Sequence, residues 1–249
     1  MIPSVVPLAE VQALLSRIDT FAAAGQDAWT TDRQDGFSDR YLWPKHLWMR
    51  DFCGAHNLPQ LAAELMGSTT ARLYFDHIFI RNGATKTATP WHQDRPYWPF
   101  QGSQIASIWV ALSASDEASG GLRFVSGSHS TDQVYTAKPF RNRDPDDWAN
   151  QNRDGVPMPD IEANPEQFDI ISFAVQPGDV LIFNSGTIHG ALANNDPDKR
   201  RAALSIRYLG DDVTWDPRVG TDPIIQADDV TLQPGDPLDG EPMFPQLWP

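Results

Sequence analysis

The stretch Pro90-Trp91-His92-Gln93-Asp94 sets an imidazole two residues before a carboxylate. On an extended segment both side chains leave the same face while Gln93 points away. Such a pair supplies two of the three ligands of the two-histidine, one-carboxylate triad that holds non-haem Fe(II) and leaves positions open. By itself the pair decides nothing. Six histidines and 33 acidic residues in a chain of 249 give about 0.8 such pairs by composition alone, and an ordinary hydrogen-bonded pair is the plainer reading.

A third ligand has to arrive from far along the chain. His189 fits best, 95 residues after Asp94, behind a buried strand and a glycine turn. Taken alone it also reads as a strand-end histidine bonded to backbone. His46 and His56 fall on or near early helices, His77 alternates on a strand and His129 sits in a turn. Arg200-Arg201 opens the last long strand, and neighbours on a strand face opposite ways, so one can enter a barrel while the other meets solvent. An arginine inside an apolar barrel needs an anion, and a carboxylate matches its fork. A surface arginine pair is the competing reading.

Length and composition bound the rest. A chain of 249 residues fits one elaborated domain with a full core. The balance of 19 basic to 33 acidic residues, a formal charge of -14, argues against broad nucleic-acid or anionic-membrane binding. Cys53 is the only cysteine, which excludes an intrachain disulfide and cysteine-rich zinc modules. No 18-residue apolar run and no basic-then-apolar leader is visible, so a soluble cytoplasmic protein is expected.

Taken in order, residues 1–70 read as helical packing elements. Leu8, Val11, Leu14, Leu15, Ile18 and Phe21 share one helical face, and further helices are expected at 44–52 and 59–66. From 71 to 210 the texture is β: strands at 72–80, 105–112, 122–125, 168–175, 180–183 and 201–209, with Pro177-Gly178-Asp179 as a tight turn. The polar segment 130–166, with prolines at 139, 145, 157, 159 and 165, reads as a lid or a surface insertion. Residues 211–249 read as a proline-rich tail too broken for regular structure. This order predicts a mainly β fold with N-terminal helices, a jelly-roll or double-stranded β-helix of the cupin sort.

Five pieces in this order are similar to the phytanoyl-CoA dioxygenase family. They are Trp91 to Pro99, Ile108 to Leu112, Gly120 to His129, Pro177 to Asp179 with Ile188 to Ala191, and Arg201 to Ser205, covering roughly 70–210. The resemblance implies a hydroxylase that uses Fe(II), 2-oxoglutarate and O2 and releases succinate and CO2. It implies His92, Asp94 and His189 on iron, Arg201 on the distal carboxylate of 2-oxoglutarate, and Trp109 with Ile78 as walls of that pocket. One departure stands out. Some members carry a serine two residues past the distal histidine where this chain has Ala191, so the hydroxyl partner of Arg201 is either missing or comes from elsewhere, with Tyr74, Thr89 and Ser205 as unranked candidates.

Asp94, where a small residue would admit halide, favours hydroxylation, desaturation or ring closure over halogenation. With Arg201 inward, period two brings Ala203, Ser205 and Arg207 to the same face. Arg207 then either meets a carboxylate, phosphate or phosphonate on a small substrate, or pairs with Asp211, Asp212 or another acid of the chain. Tyr97, Trp98 and Phe100 are either substrate wall or core. A long acyl-CoA substrate fits poorly, because its phosphates want a basic rim. Two other classes remain open: a cupin-type isomerase or lyase using another divalent metal, and a silent barrel acting as a binding module. A serine hydrolase lacks its Gly-x-Ser-x-Gly elbow.

Overall fold

The apolar spacing of the first 24 residues becomes helix α1 (Leu8–Ala24), whose Val11, Leu14 and Ile18 are buried. The computed structural model describes residues 1–24, 36–138, 151, 154–222 and 224–249. Next come β1 (Gly36–Arg40), α2 (Leu47–Cys53) and α3 (Leu58–Met66). Helix α3 starts with Pro59 in its first turn and stops at Gly67, which takes a left-handed φ of 63°. The β region holds β2 (Ala71–Arg81), β3 (Thr89–His92), β4 (Phe100–Gln101), β5 (Ile105–Ala111) and β6 (Leu122–Val125). It continues with β7 (Ile170–Ser172), β8 (Val180–Asn184), β9 (His189–Ala191), β10 (Arg201–Leu209), β11 (Thr214–Trp215) and β12 (Gln246–Trp248). The turn before β8 has Gly178 at φ 95° and Asp179 N–H donating to Gln176 O at 3.0 Å, the type II geometry that Pro-Gly favours.

The strands form two principal antiparallel sheets, one ordered β1-β2-β10-β5-β8 and the other β3-β9-β6-β7. β12 joins the larger one by pairing with β2. Together they make a double-stranded β-helix with helices against the outside of the larger sheet.

Strand β10 shows why. All nine of its residues are buried, because both faces are covered. Ala202, Leu204, Ile206 and Tyr208 share an outer core with Ile78, Ile108 and the helical residues Ile18, Met49 and Leu58. Ala203 faces the interior, where Trp109, Leu181 and Phe183 meet Leu122, Phe124 and Ala191 of the smaller sheet. Strands covered on both sides read as continuous apolar runs rather than alternations, as Ile105–Ala111 does.

Two expectations differ from the structure. The tail is built into the fold: Gln246 and Trp248 pair with Arg72 and Ala71 on β2, and Thr214-Trp215 pairs with Gln101-Phe100 on β4. A proline withdraws only its own N–H from a ladder, so the residues between prolines remain free to pair. β1, whose Gly36–Arg40 carries no apolar alternation, was not expected; its backbone pairs with Ile80 and its neighbours on β2. Prolines 139 and 145 of the expected lid lie outside the described residues.

Tail side chains complete an aromatic core. Phe244 is fully buried, with ring centroids 5.3 Å from Phe100, 5.9 Å from Trp215 and 6.1 Å from Tyr74. Phe244→Ala should lower the stability by about 3–5 kcal/mol in urea unfolding. A loss below about 1 kcal/mol would mean that the tail is not part of the cooperative core.

Candidate metal centre

β3 and β9 are neighbours in the smaller sheet, and their register places His92 opposite His189. Gly190 permits that approach: a Cβ there would lie 2.9 Å from the carbonyl oxygen of Thr89. The two imidazoles lie with ring centroids 4.2 Å apart. His92 Nδ1 is 2.8 Å from Pro90 O and His189 Nδ1 is 2.9 Å from Thr187 O. A carbonyl can only accept, so both Nδ1 atoms carry the proton and both Nε2 lone pairs are left for an ion.

Asp94 reaches the same point by a different route from the one its spacing implies. It is not extended but helical, at φ -74° and ψ -39°, opening the short turn Arg95–Tyr97. Its N–H donates to Ser185 O at 3.0 Å, which pins the turn to the end of β8. Oδ1 then lies 3.6 Å from His92 Nε2 and 3.9 Å from His189 Nε2. Oδ2 faces the larger sheet, where it accepts from Ser107 Oγ at 3.1 Å and lies 4.0 Å from an Arg207 nitrogen. One oxygen is aimed at the imidazoles and the other is held by the protein.

The three ligand atoms lie within 4.8 Å of one another, and all three residues are buried. Burial disfavours a charged Asp94, but His189, His92 and Arg207 outweigh it and hold the carboxyl well below its usual range. Burial, and then the neighbouring His92, lower His189 to about 4, so it is neutral and ready to coordinate at physiological pH. Two imidazole nitrogens and one carboxylate suit a divalent metal such as iron.

Six residues from Arg207 along β10, Arg201 enters the interior at the other end of the strand. Arg200 turns out to an ion pair with Asp19 on α1, so the arginine pair divides as period two requires. Arg201 is 3% exposed, its guanidinium 5.8 Å from the Trp109 ring and its Nε buried without a hydrogen-bond partner among the described residues. Burial, and then Arg81 paired opposite it on β2, lower its pKa to about 9. Among the three hydroxyl candidates, Thr89 is the one placed across from Ala191, and its Oγ1 accepts from Arg81 at 3.1 Å. Tyr74 belongs to the aromatic core around Trp98 and Phe100. Ser205 lies farther down β10, beside Trp109.

The remaining expected residues are placed as follows. Ile78 is not brought to this interior: it pairs with Leu204 and packs into the outer core, while its neighbours His77 and Phe79 face in. Trp98 lies with its ring 5.9 Å from the Arg207 guanidinium, and Phe100 is core. The Tyr97 hydroxyl is engaged by backbone, donating to Lys138 O at 2.6 Å and accepting from Lys138 N–H at 3.0 Å. Gln93, between the two ligands, donates to Gln133 O and Gly186 O and accepts from Tyr135 N–H. Segment 131–138 is thereby fastened beside the metal ligands. A cleft there is lined by Pro90, Trp91, His92, Gln93, Tyr97 and Tyr135.

Two ring nitrogens and a carboxylate oxygen converging inside a double-stranded β-helix, with an arginine in reserve, define a mononuclear non-haem metal centre. The chain belongs to the phytanoyl-CoA dioxygenase family, whose model matches residues 1–202. It is 25% identical over 169 residues to a probable phytanoyl-CoA dioxygenase of Caenorhabditis elegans, covering 66% of this chain and 51% of that protein. It is 30% identical over 167 residues to the dioxygenase lolE1 of Epichloe uncinata, covering 67% of this chain and 57% of that one. The chain thus spans little more than half the length of these relatives. Among solved structures, the fold is similar to the non-haem α-ketoglutarate-dependent epimerase SnoN of nogalamycin biosynthesis. That match has a TM-score of 0.75 and 22% identity and covers 100% of this chain and 92% of that one. The carbocyclase SnoK of the same biosynthesis gives 0.74 and 23% identity and covers 98% and 90%.

Ser107 carries no motif in the sequence, yet it is the neutral donor on Asp94. Ser107→Ala should weaken metal binding about tenfold by calorimetric titration while leaving the melting temperature near that of the wild type. Unchanged affinity would mean that the Ser107 bond does not orient the carboxylate.

Proposed function

We propose that this protein is an Fe(II)- and 2-oxoglutarate-dependent dioxygenase that hydroxylates a small molecule. The observation that carries the reading is the pairing of the His92–Asp94–His189 triad with Arg201. Arg201 is a buried cation with an orphaned Nε, and no carboxylate of the described residues lies within 4.0 Å of it. A metal alone would need no such arginine; a dicarboxylate cosubstrate with one end at the metal supplies its anion.

In this reading His92, Asp94 and His189 hold Fe(II), and Arg201 holds the distal carboxylate of 2-oxoglutarate with Trp109 as a wall. Thr89 takes the place of the serine hydroxyl that Ala191 lacks. When bound, iron and 2-oxoglutarate supply the oxidising chemistry: 2-oxoglutarate, O2 and a C–H group become succinate, CO2 and a C–OH group. The chain positions these reagents. The Nδ1–carbonyl bonds fix both imidazole tautomers. Ser107 and Arg207 hold one oxygen of Asp94, and the apolar faces of Trp109, Leu181 and Phe183 exclude water.

Anaerobic addition of Fe(II) and 2-oxoglutarate should give a weak visible charge-transfer band. Asp94→Ala should diminish it, and Arg201→Ala should raise the 2-oxoglutarate dissociation constant about 30-fold or more. Tight metal binding without the band would instead favour a cupin-type isomerase or lyase. The fold neighbours titled epimerase and carbocyclase make product mass the decisive readout of outcome. Hydroxylation adds one oxygen, ring closure removes two hydrogens and epimerisation changes nothing. The described helices include none long and apolar enough to cross a membrane.

A further inference from the structure

Arg207 has no place in the holding of 2-oxoglutarate by Arg201, yet it is as deeply buried. It is 6% exposed, and its Nε is buried without a hydrogen-bond partner among the described residues. One terminal nitrogen donates to Ser205 O at 3.1 Å. Its guanidinium lies 4.6 Å from the Phe75 ring, 5.9 Å from Trp98 and 6.0 Å from Phe79. These rings lend their negative faces to the charge, but they are not counter-ions.

The carboxylates nearest in sequence are spent elsewhere. Asp211 accepts from Thr69 and Thr70. Asp212 accepts from Ser103 and Gln104. The one carboxylate of the described residues within 4.0 Å of Arg207 is Asp94, whose negative charge a divalent ion would claim. On the proposed function, Fe(II) and 2-oxoglutarate cancel in charge, Asp94 offsets one arginine and Arg201 or Arg207 remains unbalanced. An uncompensated buried cation costs several kcal/mol. The two arginines also lie against different walls, Arg201 against Trp109 on β5 and Arg207 against Phe75 and Phe79 on β2. Ser205 lies two residues from Arg207 on the same face, 1% exposed, with a buried hydroxyl that has no hydrogen-bond partner among the described residues. Two polar groups without partners among the described residues thus share one strand face, and the Arg207 end of it reaches the metal ligand Asp94.

We propose that Arg207, with Ser205, is the receptor for an anionic group of the substrate, a carboxylate or phosphonate attached to a planar or apolar body that packs against Phe75, Phe79 and Trp98. This rests on the dioxygenase reading. It adds that the substrate is a small organic anion anchored close to the metal, so that the oxidised carbon lies near the anionic group.

Protein loaded with Zn(II) and 2-oxoglutarate reports binding without turnover. Calorimetric titration with benzoate, phenylphosphonate and neutral benzamide tests the proposal, with the two anions separating carboxylate from phosphonate preference. At least one anion should bind the wild type at least tenfold more tightly than benzamide. Arg207→Gln should weaken that binding at least tenfold, and Arg207→Lys, which keeps the charge but not the fork, should recover part of it. With zinc at saturation, the 2-oxoglutarate affinities of both variants should stay within about twofold of wild type. Equal binding of benzamide, no binding of either anion, or undiminished anion binding by Arg207→Gln would overturn the proposal. A tenfold loss of 2-oxoglutarate affinity in Arg207→Gln would do the same, assigning Arg207 to the cosubstrate. Failure of the dioxygenase reading is separately visible as absence of the Fe(II)–2-oxoglutarate band in the wild type.

Discussion

The constraint on which the rest depends is the double burial of β10. Its even-numbered residues from Ala202 to Tyr208 must meet helices, and its odd-numbered ones must meet the barrel interior. A slip of one residue would exchange Leu204 for Ser205 and Ile206 for Arg207. That would bring an arginine into the helical core and an isoleucine to the metal ligands. The helices that cover the outer face therefore do more than shield it. By demanding apolar residues on one side, they fix which side chains reach the chemistry on the other.

A strongly acidic chain encloses a cationic interior. The chain has a formal charge of -14, and most carboxylates of the described residues are solvated or occupied as backbone caps, as Asp211 and Asp212 are. Arg201 and Arg207 are drawn inside on a single strand. Concentrating positive charge where water is scarce makes each guanidinium far more effective than it would be at the surface. The surrounding negative surface discourages polyanions from competing for it.

The larger part of this was legible in the sequence because it rests on local rules. The His-x-Asp pair, the Pro-Gly turn, the arginine pair and the period of β10 are written in adjacent residues, and the helices announce themselves by spacing. What was not legible depends on register between distant strands. Ser107 meets Asp94 only because β5 pairs with β10 in one alignment. Thr89 is singled out over Tyr74 and Ser205 only by lying across from Ala191. Ile78 is a pocket wall only by the family resemblance, whereas in the fold it belongs to the outer core, and the run Asp76-His77-Ile78-Phe79 does not itself declare which face is inside. The tail misled for another reason: proline density signals broken helices and ladders, but it is silent about aromatic side chains between the breaks. Phe244 and Trp215 are buried there regardless.

Gln93 has a consequence that reaches beyond this molecule. From between the two ligands it grips segment 131–138 by the carbonyl of Gln133 and the N–H of Tyr135, and Tyr97 grips the backbone of Lys138 in the same way. Each of these contacts is blind to side-chain identity on the segment's part, since almost any residue offers the same peptide groups. The segment can therefore diverge in sequence while the fastening and the ligands beside it stay as they are. Such an arrangement separates the backbone that must stay in place from side chains whose identity the fastening does not read. It is a modular joint, and a change in those side chains leaves the ligands beside it undisturbed.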